Sequence, residues 1–421
     1  MNDKYNISAH DAEVLRKLSA RYMDVATSER NLKNIARFYA MDDGEKQDRP
    51  AILVENVIDE KRRETDLKCF CEGDFARGIE FGMRLKISDF NTVYDDNPLD
   101  PYYDIRPYTS STGYGLDAQK TNPTDREGTN GAYHIDPVIK DIEKDFPKLT
   151  HREFTNHSDD TEQMFTACDK AFGDILKPRL RGYYYWTLGL TNTVINFIGL
   201  EELMLYMYEE PEGLHKIMDF FCTDFLNHVS WLEENNLYTP NNEGDYTGSG
   251  SRGYTRALPK STDGKIRTTD LWCLIESQET VGVGPDKYAE FIYPYEAKIA
   301  ERFGSVYYGC CEPVHTRWEI LKNMPNLKRV SVSPWCDEEF MGKACKESKV
   351  VYSRKPNPTL VSTQHFDEKA IADDIRLTAE VIKKNNIAGE IIMKDVHTVN
   401  GEYDRLDRWT RMAEGIFNEI F

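Results

Sequence analysis

The chain has 421 residues, with 53 basic against 72 acidic side chains for a net charge of −19, and is 40% hydrophobic and 12% aromatic. That composition folds into a globule and excludes a disordered, collagen-like or membrane-spanning protein. The negative field repels phosphate backbones and anionic lipid, so nucleic acid and membranes are not expected partners.

The first residues, MNDKYNISAHDAEVLRKLSARYMDV, are charged throughout and lack the apolar core and cleavage site of a secretory signal, which predicts a cytoplasmic protein. Nine cysteines, an odd number without regular spacing, predict reduced thiols or metal ligands rather than a disulfide framework.

Residues 1–48 read as a helical extension and residues 49–421 as one unit in which strands alternate with helices. Eight strands are expected: Ala51–Asn56, Lys86–Tyr94, Gly182–Leu190, Asp270–Glu276, Gly304–Cys310, Lys328–Ser333, Lys349–Ser353 and Gly389–Lys394. Between them, stretches such as Gly199–Asn235, Pro285–Arg302, Phe366–Asn385 and Arg405–Phe421 carry apolar residues at three- and four-residue intervals, as amphipathic helices do. Eight strand–helix units predict an α/β fold, a closed (β/α)8 TIM barrel with long βα-loop insertions. The other candidate, a doubly wound open sheet, wants a glycine-rich phosphate turn after its first strand, and AILVENVIDEKR has none. Two insertions stand out, Asn97–Glu143 and Tyr238–Thr269. The second contains GDYTGSGSRGYT, which reads either as a lid bearing Tyr246 and Tyr254 or as an ordered surface loop.

In such a barrel the chemistry sits at the carboxyl ends of the strands, where polar residues cluster here. Cys310 and His397 fall at the ends of the fifth and eighth strands, and Glu312 follows Cys310 at the same parity. One thiolate, one carboxylate and one imidazole with an open position suit a catalytic zinc ion, with Cys311 as the reserve ligand. Glu276 and Glu279 cannot both point to one face of a strand, so a single general acid or metal ligand is expected, with Glu279 as the choice. Tyr308 reads as a second proton donor or as barrel filling. Lys355 and Asn357 alternate across Pro356 and are expected either to bind an oxygen substituent of a substrate or to form a rigid turn. Glu276, Gln278 and Trp335 complete the expected substrate lining.

These residues resemble the uroporphyrinogen decarboxylase superfamily, in its branch of corrinoid-dependent methyltransferases. The resemblance rests on LWCLIESQETVGVGPDKYAEFIYPY, YYGCCEPVHTRWEILKNMPNLKRVSVSPW, YSRKPNP and EIIMKDVHTVNGEYDRLDRW, and more weakly on GLEELMLYMYEEPEGLHKIMDFF. Similar methyltransferases carry a His-x-Cys zinc pair on the fifth strand; here Tyr308-Gly309-Cys310 keeps the cysteine and replaces the histidine. His397 stands where a last ligand would come. The segment from Asp395 to Gly401 is similar to a corrinoid-binding Asp-x-His-x-x-Gly motif but has one residue too many, so a separate corrinoid protein is the expected partner. The resemblance implies methyl transfer between a small, methoxylated or similar molecule and the cobalt of that protein. Zinc would polarise the oxygen while Glu279 or Tyr308 donates a proton. Two other readings are a metal-free decarboxylase or lyase using Glu279 and Lys355, and a non-catalytic barrel. A homodimer is a further expectation.

Overall fold

The computed structural model describes residues 3–55, 67–121, 134–182 and 184–421. Two helices open the chain, α1 (Ala9–Ala26) and α2 (Glu29–Asp42), each started by a serine whose hydroxyl accepts a backbone N–H of the first turn. Strand β1 (Ala51–Val54) follows, then helix α3 (Asp74–Thr92). Strands β2 (Tyr102–Ile105) and β3 (Lys177–Leu180) pair parallel with each other. Helix α4 (Leu190–Ile198) precedes an antiparallel hairpin, β4 (Glu243–Gly248) and β5 (Ser251–Tyr254). The rest alternates: β6 (Trp272–Ile275), α5 (Pro285–Phe291), α6 (Tyr293–Ala300), β7 (Ser305–Tyr308), β8 (Leu327–Val332), α7 (Glu338–Ser348), β9 (Val351–Arg354), α8 (Glu368–Asn385), β10 (Gly389–Met393) and α9 (Arg405–Ile420).

The fold is mixed α/β around a six-stranded parallel sheet of order β1-β10-β9-β8-β7-β6. Its strands are buried on both faces, as expected where crossover helices cover a parallel sheet. On the helix face, Ile275, Val306, Tyr308, Val330 and Tyr352 pack with Phe291, Ile299, Met341 and Ile382. Further along, Ile52, Val54, Ile391 and Met393 pack with Ile375, Trp409 and Phe417.

The other face is polar and is filled by the β4–β5 hairpin. A side chain at Gly248 would meet the Tyr307 ring at 2.6 Å and Leu274 at 2.8 Å, and one at Gly250 would meet Ile392 at 2.9 Å, so only glycine lets the hairpin lie flush on the sheet. Its two-residue turn, Ser249-Gly250, has positive φ at both positions, the geometry that matches strand twist in a tight hairpin. Thr247, Ser249, Ser251 and Tyr254 are buried. The GDYTGSGSRGYT segment is therefore an interior hairpin, which corrects both the lid and the surface-loop expectations. The Tyr254 hydroxyl donates to Asp100 at 2.8 Å, and the Tyr246 hydroxyl accepts the Ser249 N–H at 2.8 Å.

Two expected strands are corrected. Lys86–Tyr94 lies largely in helix α3, because its β-rich look is overridden by a buried stripe of Ala76, Ile79, Met83, Ile87 and Phe90 at helical spacing. Gly182–Leu190 is not a strand among its described residues. Its aromatic side chains serve tertiary contacts, with the Tyr184 hydroxyl donating to the Leu237 carbonyl and Tyr185 paired with Tyr238. The pairing segment is the less obvious Lys177–Leu180. Residues 122–133 of the first expected insertion and Asn56 of the first expected strand lie outside the described residues. All nine cysteines are free, and no helix among the described residues is long and apolar enough to cross a membrane.

Candidate active site at the carboxyl ends of the strands

Beyond their last paired residues, β6, β7, β9 and β10 run into Glu276, Cys310, Lys355 and Lys394, all buried. Gly309, with φ of +96°, turns the chain after β7, so Cys310 does not share the direction of Tyr308 two residues earlier. Its thiol instead meets the hairpin face. Lys394 Nζ lies 3.4 Å from Cys310 Sγ, Ser249 Oγ is 3.7 Å from the same sulfur, and Cys311 Sγ is 3.6 Å away. The Cys311 thiol and the Lys394 ammonium pull the Cys310 thiol down to about 7 against the effect of burial. Burial disfavours the Lys394 cation, but the sulfur of Cys310 and the carboxylate of Asp395, 3.2 Å from Nζ, outweigh it and raise its pKa. The result is a buried Cys310–Lys394 pair in which the ammonium favours the thiolate.

Beside it stand three glutamates. Glu312 accepts the Cys310 N–H at 2.8 Å and the Ser277 N–H at 3.1 Å, tying the two strand ends together. Glu279 accepts from the Thr191 hydroxyl at 2.8 Å and the Asn192 amide at 3.0 Å, at the start of α4. Glu276 accepts the Gln278 N–H at 3.0 Å on one oxygen and leaves the other, Oε1, buried without a partner. Burial first, then the charges of Glu279 and Glu312, push its carboxyl well above the ordinary range and favour its protonated form.

The expected roles therefore redistribute. Glu279, the expected acid, is bonded to the start of α4, and Glu276 is the glutamate with an unpartnered oxygen. Tyr308 points to the helix face, where its hydroxyl lies 2.9 Å from that of Tyr288, 3.0 Å from Ser277 Oγ and 3.2 Å from Glu296; it is packing, not a proton donor at the mouth. Lys355 does reach the hairpin face, but its Nζ is spent on the Tyr307 hydroxyl at 2.7 Å and Ser353 Oγ at 2.6 Å, and burial lowers its pKa to about 7. Asn357 accepts from the N–H and hydroxyl of Thr359, so it is a turn residue. Gln278 is half-buried beside Glu279, and Trp335 is 64% exposed on the loop after β8.

The expected zinc set is not assembled. His397 is exposed, both Glu312 oxygens are engaged by backbone N–H groups, and Lys394 sits against the Cys310 sulfur. No three His, Cys, Asp or Glu side chains among the described residues are arranged to hold a metal ion. As placed, Cys310, Glu312 and His397 do not fit zinc.

Sequence reasoning missed Lys394 and Ser249. Lys394 was signalled by its alternation with Glu390 and Ile392 on β10; nothing local could signal Ser249, which reaches the site only because the hairpin threads the interior.

No protein-family model and no curated protein sequence matches the chain. Among solved structures, a methyltransferase from Methanosarcina mazei is similar in fold, with a TM-score of 0.50 at 10% identity, over 91% of this chain and 99% of the other.

Proposed function

We propose that the protein is a methyltransferase component that moves a methyl group between a small molecule and the cobalt of a separate corrinoid protein. The supporting observation is Glu276, a buried carboxyl with an unpartnered oxygen and a raised pKa, set beside the Cys310–Lys394 pair at the ends of parallel strands. The fold likeness to a methyltransferase agrees with this reading. We also infer a barrel, on the ground that β2 and β3, paired with each other, fall in chain order between β1 and β6, the two edges of the six-stranded sheet.

Taking a methyl group from an ether oxygen leaves negative charge on that oxygen, and neutralising it is the difficult part of the reaction. Glu276 supplies the proton through Oε1, and the Lys394 ammonium stabilises the developing charge. In balance, the methyl–oxygen bond breaks as the partner's cobalt(I) takes the methyl in line, and the released alkoxide or phenoxide leaves as the alcohol with the Glu276 proton. Trp335 and Val281, exposed on the loops after β8 and β6, offer apolar rim contacts for the partner. A metal-free decarboxylase would draw on Glu279 and Lys355, whose polar atoms are already engaged within the fold.

The test is to mix the protein with cob(I)alamin and a panel of methoxylated small molecules and follow methylcobalamin by absorbance. Formation that depends on the protein supports the reading. No methylcobalamin from any donor, together with carbon dioxide release from a carboxylated compound by the protein alone, overturns it.

A further inference from the structure

A cavity of 910 Å³ opens at the opposite end of the sheet from Glu276 and Cys310. It is framed by the starts of the strands, among them Ser305, Lys328 and Val351, and by the loop that leaves α2. Its size is that of a small-molecule pocket. Five lysines line it, Lys46, Lys260, Lys328, Lys346 and Lys349, and none of them forms an ion pair among the described residues. A sixth, Lys383, reaches the Phe421 carbonyl oxygen at 3.5 Å.

The acids of the same lining are paired with three arginines, which they share with one another or with Glu390 and Asp96. Asp42 is paired with Arg329, Asp43 with Arg256 at 2.8 Å, Glu45 with Arg256 at 3.6 Å, and Asp48 with Arg37 at 2.8 Å. Helices α2, α7 and α8 end here, and each carboxyl terminus carries about half a negative charge. That accounts for Lys346, Lys349 and Lys383 as dipole partners. Lys46, Lys260 and Lys328 lie on loops and at a strand start, where no helix end requires them. Exposed lysines gathered around one concave mouth, on a chain of net charge −19, concentrate positive potential there and favour an anion. One wall is apolar, with Ile387 and Phe421.

We propose that this cavity binds a small molecule bearing a polyphosphate or equivalent chain of anionic oxygens, independently of the chemistry at the other end of the sheet. Ammonium groups spaced around a pocket match serial phosphates as point charges.

Isothermal titration calorimetry of the full chain, without magnesium and at low salt, with sodium tripolyphosphate and with ATP, tests this. The expected result is one site per chain for tripolyphosphate, with affinity falling as salt rises. Lys260→Glu with Lys328→Glu weakens it by about tenfold or more, since two attractions become repulsions. The charge-matched control, Lys17→Glu with Lys369→Glu, at exposed lysines outside this lining, leaves it unchanged. Tighter binding of ATP places the nucleoside on the apolar wall, and equal binding restricts recognition to the phosphates; either supports the site. No heat from either probe up to millimolar concentration, or equal weakening by the control pair, overturns it.

Discussion

The hairpin face of the sheet holds buried charge at two levels, and the two levels are built on opposite rules. At the amino-terminal level, Arg329 is fully buried between Asp42 and Glu390, with Ser251 of the hairpin and Ser353 bonded into the same group. Opposite charges face each other there and the hairpin covers them. At the carboxyl level, beside the Cys310–Lys394 pair, Glu276 faces Glu279 and Glu312, and burial together with these like charges raises its pKa. Burial alone therefore does not mark chemistry. Burial joined by crowding of like charge, which raises the pKa of an acid, does.

The most disruptive test of that contrast is Arg329→Met, which leaves Asp42 and Glu390 buried without their cation. It is expected to cost about 3–5 kcal/mol of stability in denaturant melts. Glu276→Gln, by contrast, is expected to leave the melt nearly unchanged, since it puts a neutral amide where burial and like charge already disfavour a carboxylate. Gly248→Val forces a side chain into the Tyr307 ring and is expected to cost about 1–3 kcal/mol by overpacking the hairpin.

A pH titration sharpens the carboxyl level. Because the Cys310 pKa is lowered to about 7, its thiolate is present above that pH and lost as pH falls through it. Alkylation of Cys310 by iodoacetamide should have its midpoint near pH 7 rather than at the about 8.5 of a free cysteine. Lys394→Met should move that midpoint upward. The smallest effect is expected at His397→Ala, which should leave both stability and turnover unchanged, because the imidazole is exposed and outside the buried cluster.

The six strands of the main sheet were readable because each is a short β-rich run bounded by polar, glycine or proline residues. Lys177–Leu180 was not, since a strand reading KPRL has charge and proline where a β pattern is expected. At the site, position along the chain was readable and direction was not. Gly309 breaks the two-residue alternation, so Tyr308 and Cys310 face opposite layers although the pattern put them together. The choice between Glu276 and Glu279 depends on α4, whose Thr191 and Asn192 capture Glu279 from far along the chain. The hairpin's glycines looked like flexibility and are instead close approach.

The central claim is that Glu276 is the acid that protonates the leaving oxygen. Single-turnover methylcobalamin formation by the wild type and Glu276→Gln, with a phenyl methyl ether and an alkyl methyl ether, tests it most directly. An acid matters most for the more basic leaving group, so the account predicts a loss of about 10²–10⁴-fold for the alkyl ether and a much smaller loss for the phenyl ether. Equal losses for the two donors, or full activity of Glu276→Gln with the alkyl ether, would contradict it.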